Sequence, residues 1–262
     1  MHEVLNYLLS GGPIRRRVGD IAHGALWAKR LFGGQTDVPE LRLLDEIDMR
    51  NRIAVDVGAN AGIWSYDLSR RVGPRGRVIA YEAFPHHARA LSTAIRLLRV
   101  TNVRIRNLAV GDSEAVIGLR WRTDDGEGLG GLTHIDPSPS ESASVVRVQM
   151  VSLDYDLKRL GVEPTGVAFV KIDVEGAELA VLRGATNLLS IGHPAVYLAA
   201  EPKWLSRWGH SIADLFAEMS ALGYKAKLVA EDGLLDTDAD AYSDQYDSER
   251  KFNNILFLHP DS

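Results

Sequence analysis

The stretch IAVDVGANAG, residues 53–62, sets a short apolar run and a glycine-containing turn directly before the helix-compatible segment 61–72. Glycine at 58 lets the chain turn tightly, and glycine at 62 lets backbone or ligand approach where a Cβ would collide. The turn precedes a helix N-terminus, whose free N–H groups and dipole favour an anion. This strand–turn–helix unit predicts a binding site for a small charged ligand.

Short β-branched runs alternate with helical windows on the C-terminal side of this turn. Strands are predicted at 53–57, 77–81, 103–108, 167–172 and 195–200, and helices at 61–72, 85–99, 177–189 and 212–222. This alternation is typical of a parallel sheet covered on both faces. A final pair of strands, 225–229 and 254–259, is predicted to form an antiparallel hairpin. The predicted fold class is therefore α/β, a doubly wound, mostly parallel, Rossmann-like sheet.

Two segments depart from the alternation. Residues 1–50 are helical in pattern and are predicted to form an N-terminal extension that caps a domain over 51–262. Their basic and aromatic residues leave a membrane-surface helix as an alternative. An insertion at about 112–151 is predicted to contain two antiparallel strands joined by the glycine- and proline-rich loop 123–143. A loop of this length is typically a functional lid or disordered, and we predict a lid.

Composition excludes several classes of protein. The 262 residues are 45% hydrophobic and 25% charged, which is typical of a globular chain and excludes a disordered or collagen-like one. The absence of cysteine excludes disulfides, thiolate metal sites and cysteine nucleophiles. A net charge of −5 with scattered basic residues argues against a nucleic-acid partner. Since no apolar run approaches the ~20 residues of a membrane span, we expect a cytoplasmic protein.

An acidic residue after the second strand indicates the class of ligand. Glu82 lies twenty residues beyond Gly62, where a carboxylate can accept both hydroxyls of a ribose. Dinucleotides and S-adenosylmethionine both use this geometry. The dinucleotide fingerprint G-x-G-x-x-G has glycine where this chain has Asn60. Asp56 suits an ammonium group better than a pyrophosphate, so S-adenosyl-L-methionine is favoured and a nicotinamide-dependent oxidoreductase is the alternative.

A second strand-to-helix junction, FVKIDVEGAE at residues 169–178, carries clustered charges. Strand alternation puts Lys171 and Asp173 on one face, near the edge at which open α/β sheets bind ligands. Glu175 lies in the turn, and Glu178 also suits the first turn of a helix in a purely structural role. Carboxylates clustered beside a lysine can move pKa values toward the working pH. Lys171, Asp173 and Glu175 are therefore candidate catalytic residues.

These two blocks, together with other short motifs, resemble the FkbM-type methyltransferases over residues 52–259. The other motifs are SLD at 152–154, LRGA at 182–185, HP at 193–194 and NILF at 254–257. The block KIDVEGAE at 171–178 is the most specific of them. The resemblance implies the seven-stranded S-adenosylmethionine-dependent fold. It also implies methylation of oxygen, often on a sugar hydroxyl of an antibiotic or glycolipid.

The resemblance also implies roles for individual residues. The methionine part of the cofactor is expected beside Asp56, Gly58, Asn60 and Gly62, the ribose on Glu82, and the adenine near Ala109 and Asp112. Asp112 could instead cap a turn. Asp173 is the first choice of base and Glu175 the second, with Lys171 orienting the carboxylate or anchoring a substrate oxygen.

Further candidates concern the acceptor, a metal and a partner. Glu201 and His134 are candidate acceptor-binding residues. Oxygen ligands at Asp173, Glu175 and Glu201 would suit a divalent metal, but no metal is predicted. The expected partner is a small-molecule or glycoconjugate acceptor, and a homodimer through the N-terminal helices is an alternative. A non-catalytic binding domain that keeps the fold is the remaining interpretation.

Overall fold

A central sheet of eight strands organises the chain. The computed structural model describes residues 13–33, 39–120, 134–136, 145–199, 201–230, 233–245 and 254–262. The strands are β1 (Ile53–Val57), β2 (Arg77–Tyr81), β3 (Val103–Arg106), β4 (Ala109–Val110), β5 (Ala115–Arg120), β6 (His134–Asp136), β7 (Val145–Val151), β8 (Val167–Ile172), β9 (Ala195–Ala199), β10 (Lys225–Ala230), β11 (Gly233–Asp236) and β12 (Asn254–Leu258). The order in the central sheet is β11-β10-β12-β9-β8-β1-β2-β3. Strands β9, β8, β1, β2 and β3 are parallel, and β10, β11 and β12 pair antiparallel.

The helices follow the strands in the predicted alternation. They are α1 (Pro13–Phe32), α2 (Ile63–Val72), α3 (Pro85–Leu97), α4 (Leu153–Arg159), α5 (Glu178–Arg183), α6 (Pro202–Leu205), α7 (Ile212–Ala221) and α8 (Ala239–Gln245). None of these helices has the length and apolar character needed to cross a bilayer. The predicted α/β, doubly wound fold class is confirmed, and β11 adds an eighth strand at the antiparallel edge.

Both faces of the central strands are packed. In β1, Val55 and Val57 belong to the apolar cluster that includes α5 and α7, whereas Ala54 belongs to the cluster that includes α2. Every residue of β8 is buried. Side chains alternate between the two faces of a strand, so strands covered on both sides must be apolar at nearly every position. This is why the sequence of β8 is an almost unbroken apolar run.

The N-terminal region packs on the helix that follows β2. Helix α1 lies against α3, and a Cβ on Gly24 would be 2.6 Å from the carbonyl oxygen of Ala90, so the two helices meet at backbone distance. Residues 39–46, in the region that the sequence predicted to be helical, form a 3₁₀-helix. Leu41 and Leu44 are both buried, and a three-residue spacing lies on one face of a 3₁₀-helix. Residues 1–12 and 34–38 lie outside the described residues.

The insertion forms a second, smaller sheet. Its order is β4-β7-β5-β6, and β5 pairs antiparallel with β7, as the sequence predicted. Strand β6 pairs antiparallel with β5. The rest of the predicted lid at 123–143 and the side chain of His134 lie outside the described residues.

The predicted helix at 177–189 is shorter than expected. Helix α5 ends at Arg183, and a π-helical turn covers Leu188–Gly192. Asp154 accepts the backbone N–H groups of Asn187 and Leu188, at 2.7 and 2.9 Å. A Cβ on Gly184 would be 2.0 Å from the carbonyl oxygen of Gly111. These contacts divide the helix and fix the turn after it against the neighbouring loop.

Candidate active site

A cavity lies at the carboxyl ends of β1, β2, β3 and β8. Its lining residues come from the turns after these strands, from the start of α3 and from the second sheet: Val57, Gly58, Asn60, Tyr81, Glu82, Ala83, His87, Leu108, Ala109, Val110, Leu119, Asp173, Val174 and Glu175. Parallel strands end at one edge of the sheet, which is where open α/β sheets bind ligands. The two junctions singled out in the sequence therefore contribute to one cavity.

The glycine turn after β1 is packed against the turn after β8. Gly58 has φ +79°, and a Cβ there would lie 1.9 Å from the carbonyl oxygen of Asp173. Gly62 has φ +82°, and its Cβ would lie 2.2 Å from Cδ1 of Leu91 in α3. Only glycine meets both the left-handed conformation and the close approach at these positions. The two turns are consequently in direct contact and shape one side of the cavity.

Glu82 is a buried carboxylate at the edge of the cavity. The N–H of Asn60 donates to its Oε2 and the N–H of Phe84 to its Oε1, each at 2.8 Å. Burial raises the pKa of Glu82 to about 7, against the opposing effect of these two hydrogen bonds. Each carboxylate oxygen has a second acceptor position for a ligand hydroxyl. Glu82 is therefore fixed in place and able to accept further hydrogen bonds.

Asp56 and Lys171 form a buried ion pair beneath the turns. Asp56 is 0% exposed and lies outside the cavity lining. Its Oδ2 accepts a hydrogen bond from Oγ of Ser65 at 2.5 Å, and its Oδ1 lies 3.4 Å from Nζ of Lys171. The predicted contact of Asp56 with a ligand ammonium group stays a prediction. In the structure this carboxylate acts on the glycine turn through its lysine partner.

Lys171 joins the two junctions. Its Nζ donates to the carbonyl oxygen of Gly58 at 2.7 Å and to that of Val57 at 3.3 Å, and it lies 3.5 Å from Oδ2 of Asp173. Burial favours the neutral amine, but the charges of Asp173 and Asp56 outweigh it and raise the pKa of Lys171. Lys171 thus remains a cation that orients Asp173 and the turn after β1. Its ammonium group is buried, so it is a positioning residue.

The turn after β8 is closed by its own acidic side chain. Oε1 of Glu178 accepts the N–H groups of Val174 and Gly176, at 3.2 and 3.1 Å. Burial raises the pKa of Glu178 to about 7. A Cβ on Gly176 would be 2.6 Å from the carbonyl oxygen of Trp204, so this turn is also packed against the segment after β9. Glu178 therefore has a structural role at the start of α5, which is one of the two roles that the sequence allowed for it.

Asp173 and Glu175 are the two acidic side chains of this turn that line the cavity. The side chain of Asp173 is 46% exposed. Burial, followed by the charges of Asp173, Glu201 and Glu178, raises the pKa of Glu175 to about 8. Glu175 is therefore mostly protonated near neutral pH, so it can donate a hydrogen bond into the cavity.

The remaining predicted residues are placed unequally. Ala109 lines the cavity, whereas Asp112 is exposed and accepts a hydrogen bond from Oγ of Ser113 at 2.9 Å. Glu201 lies outside the lining and forms an ion pair with Lys203 at 2.5 Å. His87, which was not among the predicted site residues, lines the cavity from the first turn of α3. Its signal is a polar side chain at the start of the helix that directly follows Glu82.

Potential metal ligands converge elsewhere. Within the described parts of the chain, ligand atoms of His193, His259 and Asp261 lie within 4.8 Å of one another. His193 precedes β9 and His259 follows the antiparallel β12, so this group lies at the opposite edge of the sheet from the cavity. The two imidazole rings are stacked, with centroids 3.7 Å apart and planes 11° apart. The two ring planes are therefore nearly parallel, whereas an imidazole nitrogen binds a metal in the plane of its own ring.

Comparison with known proteins identifies the family. The sequence profile of the methyltransferase FkbM domain matches residues 56–226. The chain belongs to the FkbM methyltransferase family. In this FkbM-family chain the matched residues include both strand-to-helix junctions that line the cavity. Helix α1 lies before the matched residues. No curated protein gave a significant match.

Solved structures of methyltransferases resemble the FkbM-family chain at low sequence identity. Methyltransferase FkbM from Methylobacillus flagellatus is 16% identical, with a TM-score of 0.49, and the alignment covers 92% of this chain and 59% of that one. A SAM-dependent methyltransferase from Aquifex aeolicus is 13% identical, with a TM-score of 0.46 and coverage of 88% and 92%. Fibrillarin from Aeropyrum pernix, with natively bound S-adenosyl-L-methionine, is 15% identical, with a TM-score of 0.46 and coverage of 84% and 72%. The present chain thus spans 59% of the length of the Methylobacillus protein.

Proposed function

We propose that this FkbM-family protein is an S-adenosylmethionine-dependent O-methyltransferase whose acceptor is a sugar hydroxyl of a secondary metabolite or glycolipid. The observation that supports it is the single cavity that joins Glu82 to Asp173 and Glu175. One end of the cavity has the features of a nucleoside site, and the other carries acid–base groups. A group-transfer enzyme needs these two ends side by side, because donor and acceptor must be aligned.

The residues at the first end suit S-adenosylmethionine. Glu82 offers a buried carboxylate for ribose hydroxyls, and Leu108, Ala109 and Val110 offer an apolar wall for adenine. Asn60 and Gly58 line the cavity next to Glu82, where the methionine part is expected. When bound, the cofactor supplies a methyl group activated by a sulfonium. The chain's own residues hold the cofactor, orient the acceptor and exclude water.

The residues at the second end suit a hydroxyl acceptor. An alcohol loses its proton as it attacks, so a base within hydrogen-bond reach is useful. Asp173 lines the cavity, and its Oδ2 lies 3.5 Å from Nζ of Lys171. Glu175, with its pKa raised to about 8, is the hydrogen-bond donor that orients the acceptor oxygen. In this assignment Asp173 takes the proton, Glu175 orients the acceptor, and Lys171 orients Asp173.

Calorimetric titration with S-adenosylhomocysteine tests the cofactor. We expect saturable binding by the wild type and a Kd raised at least about tenfold by Glu82→Ala, because a buried carboxylate–hydroxyl contact is lost. Glu163→Ala is the matched control, since this exposed glutamate lies outside the cavity and should leave Kd unchanged. Binding of a nicotinamide nucleotide in place of S-adenosylhomocysteine would indicate an oxidoreductase.

Transfer of a labelled methyl group to a panel of sugars, glycolipids and amines tests the reaction. We expect label on oxygen of a hydroxylated acceptor, and loss of turnover in Asp173→Asn. Binding of S-adenosylhomocysteine without transfer to any acceptor would support a non-catalytic binding domain. Label on nitrogen would contradict the proposed O-methylation but not the cofactor.

A further inference from the structure

His87 faces the cavity beside Glu82. Both side chains line the cavity, and both are buried, at 8% and 7% exposure. Nδ1 of His87 lies 4.0 Å from Oε1 of Glu82. This separation is too long for a direct hydrogen bond, whose donor–acceptor distance is about 2.7 to 3.2 Å.

A gap of this length fits one hydroxyl group. An oxygen about 2.8 Å from each of two atoms can lie between them when the atoms are about 4 Å apart. Oε1 of Glu82 already accepts the N–H of Phe84, and it retains a second acceptor position. Such a hydroxyl can donate to Glu82 and accept from His87. The pair therefore has the spacing of a two-residue hydroxyl site.

The imidazole is held in place by the surrounding aromatic rings. Phe84 packs edge-on against His87, with ring centroids 4.9 Å apart, and Trp27 of α1 packs edge-on at 5.4 Å. Burial lowers the pKa of His87 to about 3, so the ring is neutral and carries one N–H donor and one acceptor nitrogen. A neutral imidazole beside a carboxylate can form a hydrogen bond with a hydroxyl. Because it is uncharged, it needs no counter-charge in this buried position.

The neighbouring residue ties this turn of α3 to α1. Nε2 of His86 lies 2.9 Å from Nδ1 of His23, and Nδ1 of His86 contacts the carboxylate of Asp20. Arg89 forms an ion pair with the same carboxylate. The first turn of α3, and with it His87, is thus fixed by buried polar contacts from the N-terminal helix.

We propose that His87 and Glu82 together bind one ribose hydroxyl of the cofactor, and that α1 is the element that positions His87 for this contact. This inference rests on the proposed function, because it assumes that the nucleoside of S-adenosylmethionine occupies this end of the cavity. It adds a second ribose-binding residue to the acidic one that the sequence indicated. It also gives α1, which precedes the family match, a part in cofactor binding.

The test combines a protein change with a ligand change. S-adenosylhomocysteine and its 2′-deoxy and 3′-deoxy analogues are titrated calorimetrically into the wild type and into His87→Phe, which keeps an aromatic ring against Phe84 and Trp27. In the wild type we expect one deoxy analogue to bind about tenfold more weakly than the parent. In His87→Phe we expect weaker binding of the parent and a smaller penalty for that analogue, because one of the two partners of the hydroxyl is gone while Glu82 remains.

Two further variants complete the test. His87→Asn places an amide nitrogen near the position of Nδ1 and should restore part of the deoxy penalty. It also provides the test if His87→Phe does not fold. His193→Phe, at the opposite edge of the sheet, is the control and should match the wild type.

The outcomes separate the two proposals. Equal deoxy penalties in the wild type, His87→Phe and His87→Asn would overturn the role of His87 and leave the cofactor assignment intact. A folded wild type that binds none of the three ligands would overturn the proposed function and this inference together. A penalty that shrinks in His87→Phe and is partly restored in His87→Asn supports the direct contact, since a purely structural effect would weaken all three ligands equally.

Discussion

At the scale of single residues, the site depends on contacts that leave no room for change. Gly58 combines φ +79° with a would-be Cβ contact of 1.9 Å to the carbonyl oxygen of Asp173. We expect Gly58→Ala to lower the free energy of unfolding and to abolish binding of S-adenosylhomocysteine, because the turn after β8 must move. Thermal unfolding and calorimetry measure the two effects.

Gly161 is the control for Gly58, because it separates the cost of backbone strain from the cost of steric collision. Gly161 also has a positive φ, +69°, but a Cβ there meets nothing within 4 Å. Gly161→Ala should therefore cost only the backbone strain of about 1 to 2 kcal/mol and leave ligand affinity unchanged. Equal losses of affinity in both variants would contradict the proposed contact between the two turns.

Lys171 shows how a sequence pattern can place a residue correctly and still mislead about its partners. Strand alternation predicts the face shared with Asp173, but it does not show that Asp56 of the neighbouring strand is buried against the same ammonium. Which side chains meet across adjacent strands depends on register, and here Asp56 lies opposite Lys171. The sequence therefore predicted the group of residues, while the burial of Lys171 could be read only from the packed sheet.

Removing this cation should destabilise the protein strongly. In Lys171→Met the aspartate is left buried without its counter-charge, so we expect the free energy of unfolding to fall by about 3 to 5 kcal/mol in urea denaturation. The control is Lys203→Met, which removes one partner of the more exposed ion pair with Glu201 and should cost about 0 to 1 kcal/mol. A loss in Lys171→Met no greater than in the control would show that the buried pair contributes little.

Glu175 gives a prediction about pH and activity. Its pKa is raised to about 8, so near neutral pH the side chain is mostly a neutral donor, which glutamine mimics. We expect Glu175→Gln to keep most of its activity at about pH 7 and to lose the decline that the wild type shows above about pH 8. Methyl-transfer rates measured from about pH 6 to 9 check this. Asp173→Asn, by contrast, should lose about 100-fold or more across the range.

At the scale of elements, helix α1, which precedes the residues matched by the family profile, packs against the cavity residue His87. Trp27 of α1 is 4% exposed and packs against His87. Trp27→Ala should lower the free energy of unfolding by about 3 to 5 kcal/mol, because a buried aromatic side chain is replaced by a cavity. It should also raise the Kd for S-adenosylhomocysteine, since His87 loses a packing partner.

The control for this prediction lies on the same helix. Phe32 is 81% exposed, so Phe32→Ala should change the unfolding free energy by about 0.5 kcal/mol or less and leave ligand affinity unchanged. Urea denaturation and calorimetry of both variants make the comparison. Unchanged affinity in a folded Trp27→Ala protein would remove α1 from cofactor binding.

Most elements could be predicted from the sequence, and those that differ do so for local physical reasons. The strands β1, β2 and β8 match their predicted limits because β-branched apolar runs with turns at both ends leave little choice. The segment 39–46 repeats its apolar residues every three positions, a spacing that both helix types share over a short length. Strand β11 has exposed residues and a weak pattern, and it depends on pairing with β10. Such pairing is a tertiary contact that a single sequence does not reveal.

At the scale of the whole molecule, topology gathers residues that are far apart in the chain. Strand order places β1 between β2 and β8, so Glu82, Gly58 and Asp173 meet at one edge although Gly58 and Asp173 are 115 residues apart in the chain. The two acidic junctions could be predicted because each carries its own motif. His87 has only the weak signal of a polar residue in the first helical turn after Glu82. Leu119 has none, because its neighbours are set by the packing of the second sheet.

Buried carboxylates give the whole molecule a pH-dependent stability. The pKa values of Glu82, Glu175 and Glu178 rise from 4.5 to about 7, 8 and 7, mainly through burial. A carboxyl whose pKa is higher in the folded state binds more protons there, so its contribution to stability is fully present below about pH 4.5 and falls as pH rises through the folded value. We expect the free energy of unfolding to decrease between about pH 5 and 8.

Urea denaturation across this range measures the slope. Glu178→Gln keeps a side-chain oxygen for the N–H groups of Val174 and Gly176 but cannot ionise, so its slope should be shallower than that of the wild type. The exposed Glu163→Gln, at the start of a 3₁₀ turn, should leave the slope unchanged. Parallel curves for Glu178→Gln and the wild type would mean that Glu178 ionises normally in the folded state.

The backbone contact between Gly58 and Asp173 has a consequence for engineering. Since no side chain fits between the two turns, the part of the site proposed to hold the cofactor and the part proposed to carry the acid–base groups are packed as one unit. A designer who wants a new acceptor should therefore leave both turns untouched. The positions open to variation are those that reach the cavity from outside this unit, such as Leu119 on the second sheet. Libraries confined to β5 of that sheet should change acceptor preference while the affinity for the cofactor stays the same, because they leave the adenine wall at Ala109 and Val110 of β4 unchanged.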